Sequence, residues 1–246
     1  MSGGVILMAG QRADDETRPG QFIAVFGRRN SALFLDCETL AYQHFPLNLD
    51  KAGLGILVYD TRVRRKLASS AYNTRRDEAS RALEILKANG ASSYKEANLV
   101  RLERVRPAMS DVLYRRARHV ISENARVRLS VKALQADDFA ALGGLLFQSH
   151  ESLRDDYEVS CPELDLLYET GRGFLGCLGA RLVGAGFGGS GIALVEKALA
   201  GIPEAEKPSV LLAMTISRGA KIAVEVPAIP WMQTVQVRLA GLGSYD

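Results

Sequence analysis

Apolar side chains recur along this chain at two intervals, and the switches between them mark out its elements. In residues 31–47 (SALFLDCETLAYQHFPL) apolar and polar positions alternate around an acidic turn, which predicts two strands at a sheet edge. Residues 54–60 (LGILVYD) are predicted as a buried strand. From Thr74 the interval lengthens: Thr74 and Asp77 have capping-box spacing, and Ala79, Ala82, Leu83 and Leu86 follow at helical positions. Gly90 is the natural stop. A longer helix is predicted from Ser110 to about Val127, with Val112, Leu113, Ala117, Val120 and Ile121 on its apolar side. A third starts near Asp137 and runs toward Arg154, its inner face built from Phe139, Leu142, Leu145 and Leu146. Ser160, Pro162 and Glu163 mark the start of a fourth, as capping hydroxyl, first-turn proline and acid three residues after the cap. That helix is predicted to end at Gly171. There is no internal repeat and no low-complexity segment.

The stretch ARLVGAGFGGSGIALVE carries a GxGxxG pattern at Gly184, Gly186 and Gly189. A dinucleotide fingerprint needs a helix after the glycine turn, so that the helix N-terminus meets the pyrophosphate. Here Ile192, Leu194 and Glu196 alternate instead, which predicts a returning strand, and no Gly-Lys-Ser/Thr follows to make a Walker loop. What remains is a hairpin whose backbone N–H groups could form an anion-binding concavity, or whose glycines satisfy backbone geometry alone. The local pattern leaves both readings open.

Composition narrows the class. With 246 residues, 47% of them hydrophobic and 24% charged, the chain is expected to be globular, with one good core or two modest ones. The longest apolar runs, VLLAM and VILMAG, are far shorter than the roughly 20 residues that cross a bilayer, and no signal peptide is expected. Cys37, Cys161 and Cys177 have no paired metal-ligand spacing and read as reduced thiols of a cytoplasmic protein. The net charge of +3 is close to neutral for this size. The basic clusters at residues 62–66 and 114–119 lack interleaved aromatic residues, so they read as solvated faces or internal ion pairs, with no nucleic-acid partner expected.

Other polar residues read as structural. His119 and Glu123 stand four apart on one helix, within reach of a shared metal, but two ligands without a third favour a hydrogen bond or ion pair. No metal site is expected. Asp155, Asp156 and Glu158 fall near a helix end, which suits structural carboxylates. Ser149 and His150 are sequence neighbours on a helix and point different ways, so they are not a nucleophile and its base.

Several stretches in a fixed order carry a family resemblance. VGAGFGGSGIALVE is similar to the third signature motif of the GHMP small-molecule kinases. Residues 61–79 (TRVRRKLASSAYNTRRDEA), 114–127 (YRRARHVISENARV) and 149–165 (SHESLRDDYEVSCPELD) each resemble a galactokinase segment, and FIAVFGRRNSALFLDC precedes them as it does in that family. Over about residues 21–197 the chain resembles the C-terminal portion of galactokinases. The resemblance implies an α+β fold, with a remnant of the GHMP N-terminal domain in residues 1–46 and the C-terminal domain in residues 47–246. It also implies transfer of the γ-phosphoryl group of ATP, with Mg²⁺, to the C1 hydroxyl of α-D-galactose, a reaction that rests on positioning and electrostatics. Tyr72 matches a tyrosine that contacts the sugar. Gly184, Gly186, Gly188 and Gly189 match the loop against the sugar and phosphate region.

The front of the chain departs from the family. Its first motif and its second, a Gly/Ser-rich loop opening a helix, have no counterpart here. Gly20 stands where the catalytic aspartate is expected, beside Arg18 and Pro19, and a glycine cannot orient or deprotonate a hydroxyl. The expectation is a truncated galactokinase-family chain, weak or inactive alone; the alternative is a noncatalytic galactose-sensing or partner-binding module. An uncovered interdomain face is expected to promote self-association. After Lys197 the sequence matches nothing recognisable in the family.

Overall fold

A computed structural model describes residues 4–9, 25–61, 63, 68–197 and 211–215. Strands β1 (Gly4–Ala9), β2 (Ser31–Asp36) and β3 (Tyr42–Pro46) come first, followed by β4 (Leu54–Asp60). Five helices occupy the middle: α1 (Ala68–Ala88), α2 (Leu99–Val105), α3 (Asp111–Gln135), α4 (Phe139–Asp155) and α5 (Pro162–Gly173), with a 3₁₀ turn at Arg106–Ala108. Strands β5 (Cys177–Leu182), β6 (Ser190–Glu196) and β7 (Leu211–Thr215) complete the set.

The two strands expected in residues 31–47 are β2 and β3, paired antiparallel from Ser31 against Pro46 to Leu35 against Tyr42, but only β3 is an edge strand, because β1 covers the other side of β2. β1 lies parallel to β2, giving a three-stranded sheet in the order β1-β2-β3. The second sheet runs β5-β6-β4-β7. β4 is antiparallel to β6, with Leu54 opposite Glu196 and Asp60 opposite Ser190, and parallel to β7. The segment after Lys197, unmatched in sequence, therefore returns a strand to this sheet.

Helix termini follow local chemistry, with three corrections to the sequence reading. α1 begins at Ala68, so Thr74 and Asp77 lie inside the helix and their capping-box spacing caps nothing. No glycine or proline between Ala68 and Thr74 breaks the helix, and the exposed Thr74 is tolerated there. Its C-terminus is as expected: Gly90 at φ +86° donates to Lys87 O at 3.0 Å and Ala91 to Leu86 O at 3.1 Å, the Schellman pairing that suits a glycine. α3 starts as expected, with Ser110 accepting from Leu113 N, but continues past Val127 to Gln135, where Ala133 and Leu134 are still buried. It stops with Asp137 in the left-handed region at φ +51°, and the next residue, Asp138, accepts from Ala141 N at 2.9 Å to cap α4. One tight turn thus ends a helix and starts another. α5 starts after Cys161, whose side chain makes no cap; the expected cap, Ser160, turns its hydroxyl to the Asp165 carboxylate at 2.5 Å, and the helix runs past the expected stop at Gly171 to Gly173.

α4 crosses β5 at a contact that admits no side chain. A Cβ on Gly143 would overlap the Leu178 backbone, and one on Gly179 would overlap Gly143. Two buried clusters result. One gathers Tyr59 with Ala82, Leu86, Leu102, Ala117, Leu164 and Leu182 between the helices and β4–β5. The other joins Ala32 and Phe45 of the first sheet to Leu54, Leu134, Leu142 and Leu194, around an apolar cavity of about 40 Å³.

Candidate functional site

The glycine hairpin joins β5 to β6, as the alternation after Gly189 predicts, and the two strands pair antiparallel. Its closing bond runs from Val183 N to Ser190 O at 2.9 Å. Between them Gly184, Gly186, Phe187, Gly188 and Gly189 all have positive φ. At the end of β4, Thr61 donates both its N–H, at 2.8 Å, and its hydroxyl, at 2.7 Å, to the Gly189 carbonyl. On the opposite side Phe187 donates to the Val159 carbonyl at 2.6 Å. A Cβ on Gly186 would collide with that same carbonyl, and a Cβ on Gly188 would approach the Val63 Cβ to 2.8 Å. Backbone geometry and packing on Val159 and Val63 therefore require these glycines independently of any ligand.

Val159 is held by its neighbour. Glu158 has φ +54°, a conformation disfavoured for a glutamate, and every acceptor it owns is engaged. Arg115 bonds one carboxylate oxygen. The other takes Arg116 Nη2 at 2.6 Å and Arg75 Nη2 at 3.4 Å, and the carbonyl accepts from Arg75 Nε at 3.4 Å. Arg116 is 1% exposed; it also donates to Glu78 of α1 at 2.7 Å and to the Asp156 carbonyl at 2.5 Å. Partial burial works against the Glu158 charge, but the bonds from Arg116 and Arg115 outweigh it and lower the carboxyl below its usual range. Arg118 pairs with the Asp156 carboxylate, which also accepts from Ser152. The basic cluster at 114–119 is thus spent on internal ion pairs, while all of the 62–66 cluster but Val63 lies outside the described residues.

A second anchor holds the start of the loop. The Leu182 N–H donates to His150 Nδ1 at 3.1 Å, which leaves the ring proton on Nε2 facing the Asp165 carboxylate at 3.2 Å. His150 has no exposed surface and stacks on Tyr168 with centroids 4.4 Å apart; burial holds its pKa down and the ring neutral. Ser149 turns elsewhere, donating to Glu123 at 2.6 Å, so the two neighbours do not act as a pair.

His119 and Glu123 also have structural partners. His119 Nδ1 lies 2.9 Å from the Ser152 hydroxyl, and burial holds its pKa at about 4. Glu123 accepts from Ser149, from Arg126 at 2.7 Å and from Arg181 at 2.9 Å. Burial opposes its charge, yet Arg181, His119 and Arg126 together push the carboxyl down to about 2. Among the described residues no three His, Cys, Asp or Glu side chains gather where a metal ion could sit. Cys37, Cys161 and Cys177 are free thiols.

Tyr72 stands half-buried near the start of α1, the helix that follows Thr61 and Val63 in the chain. Gly20 lies outside the described residues. The sequence reading saw the charges of YRRARH and of DDYE separately and missed their union at Glu158. Their opposite signs, on α3 and just past the end of α4, are the available signal. The left-handed φ that makes the union matter leaves no mark in composition.

Comparison with known proteins accords with this geometry. Residues 130–205 match the family described as GHMP kinases C terminal, a few residues past the point where the motif resemblance fades. A galactokinase of Thermotoga petrophila is 49% identical over 177 residues, 72% of this chain and 48% of that relative. The human galactokinase is 42% identical over 180 residues, 73% of this chain and 45% of the relative. The crystal structure of Lactococcus lactis galactokinase complexed with galactose matches with a TM-score of 0.69 and 38% identity, over 74% of this chain and 47% of that one. The chain spans about half the length of the curated relatives it matches. No helix among the described residues is long and apolar enough to cross a membrane. The chain carries the α+β fold of the GHMP kinase C-terminal domain, and across nearly three quarters of its length it resembles galactokinases in sequence and structure.

Proposed function

We propose that this chain supplies the sugar-facing C-terminal portion of a galactokinase, binding α-D-galactose through Tyr72 and the loop of Gly184, Gly186, Gly188 and Gly189, and that it phosphorylates the C1 hydroxyl weakly or not at all alone. The observation that carries this reading is the firmly built glycine hairpin in a chain that has Gly20 where the catalytic aspartate is expected. The positive-φ glycines let the hairpin backbone pass close to a ligand, and a phenol offers both an apolar face and a hydrogen-bonding tip. A glycine in the aspartate's place supplies neither general-base help nor orientation to the sugar hydroxyl, a contribution on the order of 10²–10⁴ in rate.

ATP and Mg²⁺ are the family's co-substrate and ion. The described residues include no cluster suited to Mg²⁺, and the sequence has no glycine-serine loop opening a helix for the phosphates, so no step is assigned to either on this chain. The domain division at residues 46 and 47 is supported by the change of sheet between β3 and β4. Free thiols suit the cytoplasm, and Val25 at 73% and Phe26 at 40% exposure offer an apolar surface for self-association.

A second reading, a noncatalytic galactose sensor, follows from the same pairing of an intact loop with Gly20. Calorimetry with galactose and a coupled assay for ADP release test both. Saturable binding with little ADP release is the expected result. Absence of binding overturns the sugar-site assignment, and rapid galactose-dependent ADP release overturns the weak-activity assignment.

A further inference from the structure

We propose that Arg116, through Glu158, is a positioning residue of the glycine loop: it fixes the turn at residues 156–159 on which the loop is seated. This rests on the reading of that loop as sugar-facing.

The chain of contacts is short. Arg116 meets three acceptors on two elements, with one nitrogen on Glu78 of α1, one on the Glu158 carboxylate and one on the Asp156 carbonyl, the last two in the same turn. Only a guanidinium presents three directed donors in a rigid plane; a lysine in its place has one compact charge and cannot meet all three acceptors in the same directions. Glu158 is thereby held in the left-handed region, which a glutamate leaves unless its surroundings over-determine it. The next residue is Val159, whose carbonyl receives the Phe187 N–H and whose atoms bear directly on Gly186. Phe187 is itself left-handed, at φ +56°. Left-handed Phe187 is thus bonded to the residue that follows left-handed Glu158, and the arginines hold the Glu158 side. If Glu158 relaxes, the Val159 carbonyl turns away and the loop loses its seat.

A network that served stability alone would have no preferred target. This one engages four acceptors of a single turn, both carboxylate oxygens and the carbonyl of Glu158 and the carbonyl of Asp156. A ligand-binding loop displaced by even 1 Å loses much of its function, about 100-fold in catalytic terms, so such convergence has a functional consequence.

The test uses the full chain with ¹⁵N-labelled phenylalanine and leucine, reading hydrogen exchange at the Phe187 amide against that of Leu102 and Leu194 as core reporters. In Glu158→Gln, exchange at Phe187 is expected to quicken about tenfold while the core amides change less than about twofold, the mark of local opening. Galactose Kd by calorimetry is expected to rise about tenfold in the same variant. Arg116→Lys is expected to behave likewise, and Glu158→Gln, at a part-exposed site, keeps the test open if Arg116→Lys does not fold. Leu142→Ala, in the other core cluster, serves as the control for general destabilisation. Phe187 exchange that is unchanged, or that rises only in step with the core amides, overturns the proposal. A wild-type chain that fails to bind galactose removes the sugar-site reading, and the exchange result still decides whether Arg116 seats the loop.

Discussion

The two core clusters of this molecule are built on opposite principles. Under the glycine loop, apolar packing is bordered by buried or half-buried charges: Arg116, Glu158, Asp156, His119 and Glu123 all have named partners. At the junction of the two sheets, Ala32, Phe45, Leu134, Leu142 and Leu194 pack without such a network and leave a small cavity. The apolar end tolerates imperfect filling because neighbouring side chains can shift. The polar end cannot, since each buried charge must meet its partner in direction as well as distance. Directed bonds thus hold the region around the glycine loop, and apolar contact holds the junction of the two sheets.

Mutation can break this contrast. Arg116→Ala removes the fully buried partner of Glu78 and Glu158, which keep only Arg75 and Arg115, and is expected to cost about 4 kcal/mol, the range for removing one partner of a buried ion pair. Leu142→Ala at the apolar junction is expected to cost about 3 kcal/mol, by lost transfer energy and an enlarged cavity. Denaturant titration measures both, and the comparison fails if the arginine variant proves the milder.

Acid sharpens the contrast without mutation. His119 is held at about 4 by burial, whereas its ordinary value is 6.5. The unfolded chain takes up this proton first as pH falls, so stability present above 6.5 is lost progressively down to about 4, by no more than about 3 kcal/mol. His150, also depressed by burial, adds loss in the same direction. Glu123, lowered to about 2 from 4.5, contributes stability that survives until lower pH still. Melting curves between pH 7 and 4 are expected to show a falling Tm, with a flatter slope in His119→Gln. An unchanged slope in that variant would mean the polar end is not where acid acts.

The sequence reading succeeded where structure is local and failed where distant chain decides. Ser110, Asp138 and Gly90 bracket helices by bonds within a few residues, and β4 and the β5–β6 hairpin follow from alternation. Thr74 looked like a cap only because capping spacing occurs by chance inside helices, and α3 outran its expected end because Ala133 and Leu134 pack on residues far away in sequence. Ser160 has the spacing of a cap, yet its hydroxyl goes to the Asp165 side chain of the same helix, a carboxylate that also faces His150 of α4. The glycines of the loop were legible as a hairpin. Their seat on Val159 was not, because it depends on the φ of Glu158 and on arginines some forty residues earlier in the chain.

β4 is an inner strand of its sheet, yet both of its neighbours, β6 and β7, come from beyond residue 189. During synthesis LGILVYD therefore emerges with both rows of backbone donors and acceptors uncovered, while the helices that follow can form from nearby contacts. A ribosome must make more than half of the chain before the first of those rows is closed. Until then this apolar ribbon is the segment most open to wrong pairing, and the speed at which the C-terminal strands arrive sets how long that exposure lasts.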